Sequence, residues 1–133
     1  MSTRKTILAV IVAFIVSNVL TTIWYMATDE ANMVPYRRAE VNYTGLIVNH
    51  LIYALLFVHL LLTYIKPQGT LVKGFVGGII LGAIMFLPQA LVIRSIWAVD
   101  FNTIFVFNSL AHILIGGIMG LAVTPFFITK KQA

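Results

Sequence analysis

Four apolar runs dominate this chain, at roughly 7–26, 43–65, 74–97 and 103–128. Each meets the ~20 residues a helix needs to cross a hydrocarbon core about 30 Å thick. The connections between them are too short to hide a soluble domain. In lipid a backbone must satisfy its own hydrogen bonds, so a chain of this pattern folds as helices. The sequence therefore predicts an all-α, integral membrane four-helix bundle forming a single transmembrane domain over residues 1–133. A composition of 60% hydrophobic and 10% charged residues, with a mean hydropathy of +0.98, lies far from that of soluble domains.

Arg4 and Lys5 ahead of the first run fit the start of a signal peptide. The exit, Trp24-Tyr25-Met26-Ala27, lacks small residues at both cleavage positions, so the run is expected to remain as an uncleaved span. Orientation follows from Lys and Arg in the short flanks. Arg4, Lys5, Lys66, Lys73, Lys130 and Lys131 share one side with no acidic residue, whereas Arg37 and Arg38 share the other with all four acidic residues. Both termini are thus predicted cytoplasmic. The net charge of +5 is explained by this topology, and no nucleic-acid partner is expected. With no cysteine, disulfides, thiolate metal sites and thiol catalysis are excluded.

The polar residues within the runs carry the functional reading. Arg94 is the only charged side chain inside any of them, and an intramembrane charge is costly enough to mark a functional site by default. Pro88 and Gln89 precede it. In the first run Asn18, Thr22 and Tyr25 recur at helical spacing. The second run holds Asn42, Asn49, His50 and Tyr53, and the fourth holds Asn108, Ser109 and His112. Placed at common depth, Asn18, Tyr25, Asn49, His50, Tyr53, Gln89, Arg94, Asn108, Ser109 and His112 all fall in the outer half or near mid-membrane. The inner half is apolar and, in the third and fourth runs, rich in glycine. The pairs Gly78/Gly82 and Gly116/Gly120 have the small-xxx-small spacing that lets helices approach closely. The pattern predicts a polar cup that faces outward above a floor closed by glycine contacts.

Competing readings accompany each feature. Arg94 can snorkel to the interface or pair with Asp100 or Glu40. The polar groups can satisfy one another between helices. Trp24 and Tyr25 suit an aromatic belt, and His59 reads as a neutral packed histidine. His50 and His59 are nine residues apart, about 900° of rotation, so they lie on opposite faces of their helix. A faint repeat relates Ile23-Trp24 to Ile96-Trp97 and Asn49-x-Leu51 to Asn108-x-Leu110, as two similar hairpins would.

The Trp24-Tyr25 exit, the glycine-punctuated third run and the His112…Gly116-Gly117 pattern of the fourth resemble small four-span bacterial inner-membrane proteins known only as domains of unknown function. The resemblance implies an inner-membrane location and carries no activity. Three functions compete. The first is a non-catalytic protein that binds a small polar or amphiphilic, and in part anionic, ligand in the cup. The second is an accessory or assembly subunit of a larger membrane complex, or a homodimer. The third is a b-type haem protein with His50 and His112 as axial ligands. No other cofactor and no metal site is expected. The acidic residues all lie in loops, and no triad order or H-x-x-x-H spacing occurs, which argues against an enzyme.

Overall fold

A computed structural model describes residues 3–32, 42–65, 69–96 and 103–128, with side chains for all of these but 29–32, 93–94, 96 and 103–104. Four helices follow in order: α1 (Thr3–Asn32), α2 (Tyr43–Ile65), α3 (Leu71–Ile96) and α4 (Thr103–Val123). Each is long and apolar enough to cross a membrane. At 1.5 Å per residue, the 30 residues of α1 reach about 45 Å, well beyond a 30 Å core. Asn42 caps α2 through its side-chain oxygen, which accepts the Gly45 N–H at 2.9 Å, and Thr70 caps α3 by accepting the Lys73 N–H at 3.1 Å. These caps satisfy amides that would otherwise lack partners at the membrane surface. Asn42, read from sequence as part of a polar stripe, has this local task. The fourth run is expected to be helical to 128, but α4 ends at Val123 and a 3₁₀ turn covers Thr124–Phe126. Pro125 has no N–H to continue the α-helical ladder.

Consecutive helices neighbour one another, and α4 returns to α1, so the four close into a ring. The most extensive interface is α3 with α4. Its register is antiparallel and regular. An added Cβ at Gly78 would collide with the Gly116 carbonyl, and one at Gly120 with that of Gly74. One at Gly82 would lie 3.1 Å from the carbonyl oxygen of His112. Both helices thus present every fourth residue: Gly74, Gly78 and Gly82 against Gly120, Gly116 and His112. This is the spacing of close small-residue crossings, where dispersion between backbones replaces the hydrophobic drive that lipid does not supply. Thr124 ends the seam, its hydroxyl donating to the Gly120 carbonyl at 2.6 Å.

A second ridge of small residues lies on α1. Ala9, Ala13, Ser17 and Thr21, spaced by four, are all buried. The apolar core fills the half of the bundle nearest the termini, where Phe57, Leu61, Met119 and Val123 are fully enclosed. Gly77 lets α3 meet α2 there: an added Cβ would come within 2.7 Å of the Tyr64 ring. Toward the other end, both α2 and α3 are largely exposed. Every residue from Asn42 to Asn49 is exposed, as are Pro88, Gln89, Leu91 and Val92 on α3.

Candidate functional site

The ridge of α4 that meets α3 through Gly116 and Gly120 continues by the same four-residue steps to His112 and Asn108. There it meets α1. The Trp24 indole N–H donates to the Asn108 side-chain oxygen at 2.7 Å. One residue on, the Tyr25 hydroxyl lies 3.4 Å from His112 Nε2, with ring centroids 5.9 Å apart. Two adjacent aromatics of α1 therefore grip two residues one turn apart on α4. The His112 ring also lies flat against Phe86 of α3, with centroids at 4.0 Å and planes inclined by 13°. Such an aromatic pair contributes about 0.5–1.5 kcal/mol beyond its burial.

Among the described residues, one polar contact joins α2 to α1. Ser17 Oγ, which donates to the Phe14 carbonyl at 3.1 Å, lies 3.4 Å from His50 Nδ1. Below it, Tyr53 stacks on Phe57 with centroids 6.0 Å apart. The structure thus brings Tyr25, His112 and Asn108 together with Trp24 and Phe86, and sets His50 beside Ser17. Ser17 and Thr21 were legible as a four-residue continuation of Ala9 and Ala13. The pairing of Trp24 with Asn108 left no local signal, because it joins residues 84 positions apart.

Other expected members sit elsewhere. On α1 the inward face is offset by one residue from the expected one: Ser17 and Thr21 are buried, while Thr22 is exposed. Asn18 is half-buried and donates to the Phe14 carbonyl at 2.8 Å, so its amide is partly satisfied within its own helix. Ser109 is buried and likewise donates to Phe105, at 2.8 Å. Gln89 and Asn49 are exposed. His59, read as a packed histidine, is also exposed. Arg94 belongs to α3; its side chain lies outside the described residues, as does all of Trp97. The faint hairpin repeat does not extend to side-chain roles, because Asn108 is bonded to Trp24 while Asn49 is exposed.

Each of the two histidines named as haem ligands has one ring nitrogen beside a neighbouring side chain. Tyr25 stands at His112 Nε2 and Phe86 covers the face of its ring, while His50 Nδ1 is turned to Ser17. No group of three or more metal-ligating side chains occurs among the described residues. What the cluster retains is unspent hydrogen-bonding capacity. His50 Nε2, His112 Nδ1, the Tyr53 hydroxyl and the Gln89 amide have no hydrogen-bond partner among the described residues.

No family model, curated protein or solved structure matches the chain. The likeness to small four-span membrane proteins thus rests on its four apolar helices.

Proposed function

We propose that this chain is a non-catalytic membrane protein that holds an amphiphilic molecule with a hydrogen-bonding or anionic head group, between α2 and α3 on the side away from the termini. The observation that carries this reading is the exposure of Asn42–Asn49 and of Pro88, Gln89, Leu91 and Val92 beside the polar cluster. At that level His50, Tyr53, Gln89 and His112 keep polar atoms without a partner among the described residues. Hydrocarbon cannot satisfy such atoms, but a head group can. Bundle interiors of this kind are common ligand sites. Pro88 adds one further acceptor, since it cannot donate to the Ile84 carbonyl. In this reading Arg94 supplies positive charge near the outer membrane surface. In this reading the basic flanks lie on the cytoplasmic side of a plasma or inner membrane, and the site faces outward.

The test is lipid retention. The protein is reconstituted in vesicles of phosphatidylcholine and phosphatidylglycerol, extracted gently and examined by native mass spectrometry. Wild type is expected to retain phosphatidylglycerol in preference to phosphatidylcholine. Arg94→Ala is expected to lose that preference, Arg94→Lys to keep it, and Gln89→Leu to retain less of either lipid. Equal retention across all four proteins would refute the reading. A loss reproduced by Asp100→Asn would instead assign Arg94 to an ion pair within the protein.

A further inference from the structure

The face of α2 turned away from the bundle has a composition that lipid contact does not explain. The buried residues of α2, Ala54, Phe57, Val58, Leu61, Leu62 and Ile65, share one side. Diametrically opposite, at about 100° per residue, lie Gly45, Asn49, Ile52, Leu56, His59 and Thr63. All six are exposed. Their spacing alternates four and three, so Gly45, Ile52 and His59 form one seven-residue series and Asn49, Leu56 and Thr63 the other. Together they occupy an arc of only about 80°. That is the spacing of a helix which packs along its length on another helix in a left-handed crossing.

Asn49 and His59 make this more than a pattern. Each lies about 9 Å in from an end of α2, at a depth where hydrocarbon offers nothing to an amide or an imidazole. Neither side chain has a hydrogen-bond partner among the described residues. Polar groups on the outer face of a spanning helix are costly unless another helix meets them. The face carries no charge, so nothing repels a copy of itself. An amide contains both donor and acceptor, and so does a neutral imidazole. Each can therefore bond to its own counterpart at the same depth. Such self-complementarity is what a two-fold interface requires, and an axis along the membrane normal keeps both copies in one orientation.

We propose that α2 is the dimerisation helix of this protein and pairs in parallel with α2 of a second copy along Gly45, Asn49, Ile52, Leu56, His59 and Thr63. Asn49 meets Asn49 of the second copy, and His59 meets His59, on either side of an Ile52–Leu56 apolar centre. Gly45, near the outer end, brings the two backbones close. The pairing stands independently of any ligand, because it uses the side of α2 opposite Phe57 and Val58.

Because the chain has no cysteine, single substitutions report directly. Each position from 45 to 63 is replaced in turn by cysteine, and membranes are treated with copper-phenanthroline. Disulfide-linked dimer is expected to peak at 45, 49, 52, 56, 59 and 63, and to fall to background at 54, 57, 58 and 61. Leu114→Cys on α4 and Ile15→Cys on α1, both exposed to a similar degree, are expected to stay at background. In the Leu56→Cys background, Asn49→Leu with His59→Leu is expected to weaken pairing roughly threefold for each polar side chain replaced. Linking at a single central position would mean antiparallel pairing and overturn the proposal. So would a flat profile, a maximum on α1 or α4, or no effect of removing the two polar groups.

Discussion

Gly78 and Gly116 face each other so closely that neither has room for a Cβ, each added carbon running into the other's backbone carbonyl. The whole α3–α4 interface is built on that approach. Gly78→Ala and Gly116→Ala are each expected to cost about 1–3 kcal/mol, the usual penalty for overpacking a filled interior. Gly45→Ala is expected to cost less than either, because Gly45 is exposed and an added Cβ meets only the Asn42 side chain, at 3.3 Å. Reversible unfolding in mixed micelles measures all three.

Trp24 and Asn108 form the shortest bond between helices in the polar cluster. A double-mutant cycle of Trp24→Phe and Asn108→Leu is expected to show a coupling of about 0.6–1.7 kcal/mol, the range for interhelical polar contacts in membranes. Additive effects would mean that the bond does not stabilise the fold.

Thr124 seals the end of the glycine seam through its bond to Gly120. Thr124→Val keeps the branched shape and removes the hydroxyl, and is expected to cost about 0.5–1.5 kcal/mol. Gly74→Ala is expected to cost more, because the new methyl would strike the Thr124 hydroxyl. A ranking reversed in the same unfolding assay would place the close contact elsewhere.

Orientation can be read by labelling. Tyr43 and Val72, each 71% exposed, begin α2 and α3 at opposite ends of the bundle. An impermeant maleimide is expected to label Tyr43→Cys in intact cells and Val72→Cys only after permeabilisation. The reverse pattern would invert the topology drawn from the basic flanks.

The packing of Phe86 on His112 belongs to the same cluster. Phe86→Leu is expected to lose about 0.5–1.5 kcal/mol of aromatic stabilisation. Chemical shifts of the His112 ring protons check it directly, since they lose the ring-current displacement that a flat neighbour imposes.

Much of the architecture could be read along the chain. Continuous apolar runs of this length favour helices, because a helix closes its backbone hydrogen bonds within one segment. Glycines four apart marked where α3 and α4 approach. The polar group was legible as a level in the membrane, but its membership was not. Ser17 and Asn18 are adjacent, and both donate to the Phe14 carbonyl, yet Ser17 is buried beside His50 while Asn18 is only half-buried. A rotation of one residue separates those outcomes, and α1 is apolar around too much of its circumference to announce it.

What the amino-acid sequence determined by itself was the class of fold, the number of spans and the depth at which polarity is concentrated. These follow from local hydropathy and need no knowledge of neighbours. Tertiary structure alone decided which polar groups serve one another. It set Trp24 on Asn108 and Tyr25 on His112, and turned Asn49 and His59 away from the bundle. Such pairings depend on the rotation and register of one helix against another. In this chain that register is set by the close approach of Gly78 to Gly116 and by the small-residue ridge of α1.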